Sequence, residues 1–365
     1  MELAGLKLLL LTILAIVFTV ALTFATLEVP MVLNHILVDL FGFPDYNPAI
    51  NPDLIEEFMS SHFIRPMGYA SLAILIVLIA IGFVTKRTGL SALGSMALFL
   101  PTFGHFAAYM FFLSGIGMLR LLWMPALGIS INILRLGDVV YLPYMVMTYS
   151  LAVLFSLFGL DPGSPLTQAL MRARMARYYW DGFHIDFRVP LSCVLIGLGL
   201  LLFLLGTVAW LYARFQGKRT VDFWIYRHSR HPQYLGWLVW SYGVMLFGAL
   251  TPVVRGGANP GASFPWVISS LLITCVALAE EVRMTEKHGE EYAIYRERTP
   301  FMLPLPKTVS KAMTLPIRVV LKKDRPESGN EILVVFLTYA TLLVLFSLPF
   351  VLLNWPSPLG WSEWP

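Results

Sequence analysis

The chain has 365 residues, 57% apolar and 13% charged, with a net charge of +4 and a mean hydropathy of +0.71. Soluble domains carry about 25% charged residues. Half that share in so apolar a chain excludes an ordinary soluble domain and predicts an all-α, polytopic bundle of membrane-spanning helices. The basic excess is local: residues 214–231 hold Arg214, Lys218, Arg219, Arg227 and Arg230 against Asp222 alone, and residues 283–325 hold ten Lys or Arg against five acids. Both stretches flank apolar runs, a positive-inside pattern rather than a nucleic-acid surface.

Taken in chain order, runs long enough to cross a bilayer fall at 8–27, 67–84, 91–113, 116–135, 139–160, 189–213, 233–250, 265–283 and 332–353. The first has the weak n-region of an uncleaved signal anchor, with only Glu2 and Lys7 before it. Segment 28–66 carries six acids against Arg65 and is expected outside. The apolar tract 91–134 would run about 66 Å as one helix, twice a hydrocarbon core, and so is read as two spans hinged near Ser114-Gly-Ile-Gly117. Nine spans place the basic loops 214–231 and 284–331 in the cytosol. In 165–180, Leu166, Leu170, Met171 and Met175 recur at helical spacing beside Arg172, Arg174 and Arg177, which predicts an amphipathic helix in the interface. Cys193 and Cys275 lie inside apolar runs, with no spacing for a disulfide framework or a zinc site.

Two polar clusters interrupt this apolar background. Lys218, Arg219, Tyr226, Arg227, His228, Arg230, His231 and Tyr234 fall within 17 positions at the lip of a span. His231 and Tyr234 share a face if a helix starts near Pro232, a residue suited to the first helical position. Aromatic residues from Trp210 to Tyr242 are in part a membrane belt. At the end of the next span, Glu280 and Glu281 must find cations or water, since an unpaired buried carboxylate costs several kcal/mol. His288-Gly289 then marks a helix stop, followed by Tyr292, Tyr295, Arg298 and Pro300. Polar groups at membrane depth are functional by default, and the two clusters, one hairpin apart, are expected to share a site.

The pattern Arg230-His-Pro-x-Tyr234-x-Gly236-Trp237-x-x-Trp240-Ser241-x-Gly243, then Glu280-Glu281, then Gly289-Glu-Glu-Tyr292-x-x-Tyr295-x-x-Arg298-x-Pro300-x-x-x-Pro304, resembles the isoprenylcysteine carboxyl methyltransferases and the related membrane phospholipid methyltransferases. The resemblance covers 189–307 as a catalytic membrane core, with 1–188 a transmembrane region of unassigned role and 308–365 a connector and last span. It implies S-adenosyl-L-methionine bound at the cytosolic end of the catalytic helices, by Lys218, Arg219, Thr220, Val221, Tyr226, His231, Pro232, Gln233, Tyr234 and Glu280. It also implies a lipophilic or lipidated acceptor arriving from the membrane lipids, with Arg230, Glu281 and Arg298 as catalytic residues. An amine or hydroxyl acceptor would need a base, for which Glu281, His228 and His231 are available. Val276 stands where the carboxyl methyltransferases carry a substrate-holding arginine, and Asp222-Phe-Trp-Ile225 lacks the usual glycine before the tyrosine, so the acceptor stays open. Sterol-type NADPH reductases also carry an Arg-His-Pro-x-Tyr-x-Gly motif, but follow its glycine with an aspartate where this chain has Trp237. A non-catalytic scaffold or transporter is the third expectation.

Overall fold

The computed structural model describes residues 2–41, 62–85, 131–144, 146, 176–179, 182–185, 188–218, 220–248 and 263–352. Its helices are α1 (Glu2–Phe41), α2 (Ile64–Thr85), α3 (Arg188–Phe215), α4 (Pro232–Gly248), α5 (Ser263–Arg298), α6 (Lys307–Leu321) and α7 (Gly329–Leu352). Among the described residues, four helices are long and apolar enough to cross a membrane, over Gly5–Glu28, Ile64–Ile81, Pro190–Phe215 and Gly329–Leu352. The expected spans 91–113, most of 116–135 and most of 139–160 lie outside the described residues.

Helix α1 keeps its hydroxyls satisfied within its own apolar run. Thr12, Thr19, Thr23 and Thr26 each donate to the carbonyl four residues earlier, as backbone-rich apolar surroundings require. It packs on α2 through the Phe24 and Tyr69 rings, 5.0 Å apart and edge to face, and on α3 through Phe18 and Phe203, stacked at 6.0 Å. Where α1 meets α2, the buried Glu28 accepts from Arg65 Nε at 3.0 Å and from the Tyr69 hydroxyl at 2.8 Å. That pairing leaves no isolated charge in an apolar contact.

Helices α3 and α4 form the tightest pair, and glycine is the reason. A Cβ at Gly199 would lie 2.3 Å from the Trp240 nitrogen, and one at Gly236 would lie 2.5 Å from the Phe203 nitrogen. Small residues let two apolar helices approach backbone to backbone. The same contact buries Trp237, Phe203 and Leu211 almost completely.

Two expectations are corrected. Residues 131–141 form a 3-10 stretch that runs through the expected gap between the spans 116–135 and 139–160. It is pinned there because the buried Asp138 accepts from the Ser263 hydroxyl at 2.8 Å, Val139 N–H donates to Ser347 Oγ at 3.5 Å, and Val140 accepts from the Tyr242 hydroxyl at 2.7 Å. A Cβ at Gly137 would meet the Phe264 nitrogen at 2.4 Å. Secondly, Ala176–Tyr179, placed at the end of the interfacial helix 165–180, forms strand β1, antiparallel to β2 (Gly182–Ile185) with Tyr178 opposite Phe183. Among the described residues this hairpin is the exception to an otherwise helical fold. Tyr178 and Tyr179 favour strands, which outweighs the helical spacing upstream. Residues 165–175 lie outside the described set.

Candidate functional site

The site begins where α3 ends. Gly217 takes the left-handed conformation at φ 68°. Its N–H bonds the Arg214 carbonyl at 3.1 Å, and that of Lys218 bonds the Ala213 carbonyl at 3.0 Å. This paired closure satisfies the last carbonyls of α3 and turns the chain back. A single 3-10 turn, Trp224–Arg227, follows, and α4 starts at Pro232 with His231 as the residue capping it. The His231 carbonyl accepts from Leu235 N–H at 2.9 Å, while its own N–H is held by Ser229 Oγ at 3.3 Å. His231 therefore leaves the helix end at a fixed angle. Its ring stacks on Tyr234 at 5.6 Å, the shared face expected from the three-residue spacing.

The second cluster arrives on α5. Gly289, at φ 54° and ψ −126°, kinks this helix, so the expected stop at His288-Gly289 is a bend after which helix resumes. The segment beyond the bend carries Tyr292 and Tyr295. The Tyr295 hydroxyl donates to the Tyr226 carbonyl at 2.8 Å, tying the end of α5 to the 3-10 turn. Arg230 N–H donates to the Pro300 carbonyl at 3.0 Å, and Phe301 lies edge-on to His231 at 5.1 Å and under the Arg230 guanidinium at 5.7 Å.

Between them the two clusters line an open cleft with about 80 Å³ of interior space, below the usual range for small-molecule sites. Of the residues expected to bind cofactor, Thr220, Val221, Tyr226, His231, Gln233, Tyr234 and Glu280 line it, together with Arg230. Pro232 is buried beside it, against Gly206 of α3. Lys218 turns away, its ammonium 4.5 Å over the Phe223 ring, and Arg219 lies outside the described residues. Arg298 and His228 are exposed and are not among the lining residues. Trp210, Arg214, Met284, Tyr292 and Tyr295 complete the wall. Helical spacing offered a signal for them: Trp210 and Arg214, like Glu280 and Met284, are four apart and so share a face.

Charge is arranged in two layers. Glu280 is about half exposed and faces the cleft, with Oε2 3.8 Å from His231 Nδ1. Glu281 is buried behind the wall, with Oε1 3.2 Å from His231 Nε2 and 3.1 Å from Arg230 Nη1. A carboxylate only accepts, so a hydrogen bond across this contact requires the proton on Nε2, with Nδ1 turned toward Glu280. Arg230 is about nine-tenths buried. Its Nη1 is close to Glu281 without hydrogen-bond alignment, and its Nε has no hydrogen-bond partner among the described residues. Gln233 donates its amide to Thr207 Oγ1 at 3.1 Å, which leaves its carbonyl as an acceptor. Burial raises the phenol pKa of Tyr226, Tyr292 and Tyr295 above the ordinary value, so all three remain neutral rings with a hydroxyl donor.

No family profile, curated protein or solved structure matches this chain.

Proposed function

We propose that the chain is a multi-pass membrane enzyme of about nine spans, with this cleft facing the cytosol, that transfers a methyl group from S-adenosyl-L-methionine to a lipophilic acceptor. The observation that carries the reading is the meeting of His231 and Tyr234 with Glu280 around one cleft, across 46 to 49 residues of chain. The donor set fits such a ligand. Aromatic faces and a carboxylate suit its cations, Arg214 suits its carboxylate, and the unpaired Arg230 Nε calls for an acceptor. Bound there, S-adenosylmethionine would supply an electrophilic methyl on a sulfonium centre.

The protein's own part is positioning and proton handling. Tyr226, Tyr234 and Tyr292 exclude water from the inner wall, and Arg230 offers a buried donor to an oxygen of ligand or acceptor. Glu281 touches neither and acts through Arg230 and His231, holding both in orientation. With Nε2 engaged by Glu281, His231 Nδ1 is the atom open to a proton from an amine or hydroxyl acceptor. Fixing two reactants in line supplies much of the acceleration of a displacement.

Calorimetric titration of the purified protein with S-adenosylmethionine and with NADPH, beside His231→Ala and Glu280→Ala, tests the reading. Saturable methyl-donor binding, lost in both variants, is the expected result. Binding of NADPH alone would transfer the assignment to a sterol-type reductase, and binding of neither to a non-catalytic scaffold. Labelled-methyl transfer into extracted lipid or into protein then identifies the acceptor class.

A further inference from the structure

Helix α6 leaves a surface that the cleft does not use. At 100° per residue, Val309, Met313, Pro316 and Val320 fall along one face of α6, with Lys311 and Arg318 on the opposite face. Val309, Met313 and Val320 of this stripe are exposed, between 43% and 55%, so none of the described residues covers it. The Tyr339 hydroxyl of α7 donates to the Met313 carbonyl, which holds the middle of α6 against the first half of a spanning helix. The lipid-side surface of α7, with Leu333 and Leu337 exposed, thus continues into the stripe.

Cations gather at the far end. Arg318 pairs with Asp324 at 2.8 Å, and Lys323 with Glu327 and Glu331 at 2.8 and 2.9 Å. Lys311, Lys322 and Arg325 have no carboxylate partner among the described residues, and all are exposed. Lys322 ends α6 in the left-handed conformation at φ 55°, which projects the cationic tail away from the helix axis. An exposed apolar stripe opposite a basic face, beside a spanning helix, is the pattern of a helix lying in a membrane interface.

We propose that α6 docks along the anionic leaflet of a bilayer, with Met313 and its neighbours in the acyl boundary and Lys311, Lys322 and Arg325 among anionic headgroups. Because Pro300 and Phe301 lie on the short segment leading into α6 and contact Arg230 and His231, its docking also fixes the rim of the cleft. The proposal does not rest on the methyl-transfer reading.

The test uses the full chain with Cys193→Ala and Cys275→Ala, carrying a polarity-sensitive fluorophore at Met313→Cys or Lys311→Cys. Each protein is reconstituted into phosphatidylcholine vesicles, with or without phosphatidylglycerol, and quenched with brominated acyl chains. The Met313 label is expected to be quenched, the Lys311 label spared, and phosphatidylglycerol to deepen the quenching. Lys322→Gln and Arg325→Gln should each lower the docked-to-undocked ratio in anionic vesicles by about fivefold. An unquenched Met313 label overturns the proposal, as does quenching indifferent to lipid charge. Cross-linking of the Met313 site to a second copy would assign the stripe to protein instead.

Discussion

His231 Nε2 stands 3.2 Å from Glu281 Oε1, and the same carboxylate oxygen lies 3.1 Å from Arg230 Nη1. One buried acid therefore holds the imidazole and the guanidinium that face the cleft. Removing one partner of a buried pair leaves the other charge uncompensated, at about 3–5 kcal/mol. Glu281→Ala is expected to lower the thermal midpoint in detergent and to abolish methyl-donor binding. Glu281→Gln, which keeps an acceptor for His231, should recover part of the stability. An unchanged midpoint in both variants would show that the pair is not formed in the folded protein.

The α3–α4 contact makes a prediction independent of chemistry. The Cβ of Gly236→Ala would meet backbone, the Phe203 nitrogen at 2.5 Å and the Gly199 oxygen at 2.8 Å, and backbone cannot yield as a side chain does. Overpacking of this kind costs about 1–3 kcal/mol. It also pushes α4 from α3, carrying His231 and Gln233 with it, so ligand affinity should fall with the midpoint. Gly197→Ala, with nothing within 4 Å, is the control and should be neutral or stabilising, since alanine is the better helix former.

Much of the site was legible before any coordinates, for a simple reason. In so apolar a chain, Arg230-His231 and Glu280-Glu281 stand out because burying charge is costly, and the cost marks where partners must meet. Arg214 and Trp210 were hidden because an anchoring girdle at a membrane lip uses the same residue types for a different purpose. Tyr292 and Tyr295 depend on the bend at Gly289, a single backbone conformation that spacing alone reads as a helix end. The 3-10 stretch at Ile131–Tyr141 is held by tertiary contacts from Ser263, Tyr242 and Ser347, none of them local in sequence. The β1–β2 hairpin shows the reverse case, in which helical periodicity upstream masked the strand preference of Tyr178 and Tyr179.

The buried tyrosines predict the alkaline limit of stability. Tyr226, Tyr292 and Tyr295 have phenol pKa values raised in the folded protein by burial, whereas an unfolded chain ionises near pH 10. Above that point the folded state binds more protons than the unfolded one, so stability falls as pH rises. Below about pH 10 these groups contribute no pH dependence. Phenolate absorbance followed with pH should show these three titrating only with unfolding. Ionisation of all tyrosines before loss of helical signal would contradict their burial.

Tyr295→Phe isolates the link between α5 and the 3-10 turn. It removes the 2.8 Å bond to the Tyr226 carbonyl while keeping the ring in the cleft wall. A neutral hydrogen bond contributes about 0.5–1.5 kcal/mol net, so the global midpoint should move little. The local effect is larger, because among the described residues this bond is the side-chain tie from the segment after Gly289 to the turn; the 3.3 Å bond from Thr220 Oγ1 to Glu291 reaches only the chain before it. Hydrogen exchange should rise at Tyr226–His228 and ligand affinity should drop. Unaltered exchange there would mean that packing, not this bond, closes the wall.

Arg214 and Arg298 separate the cleft from the sequence pattern. Arg298 belongs to the motif but is exposed and outside the lining, whereas Arg214 lies outside the motif and lines the cleft, its guanidinium 5.6 Å over the Trp210 ring. A charge-assisted bond contributes about 1.5–3 kcal/mol. Arg214 is itself exposed, which places its effect at the lower end of that range, about tenfold in affinity. Arg214→Gln should therefore weaken methyl-donor binding by about tenfold, with reduced dependence on salt, and Arg298→Gln should leave binding unchanged. Arg298 could still act on an acceptor that reaches the rim, which would show as a lower turnover at unaltered donor affinity. If Arg298→Gln weakens donor binding and Arg214→Gln does not, the ligand sits beyond Pro300 rather than between α3, α4 and α5.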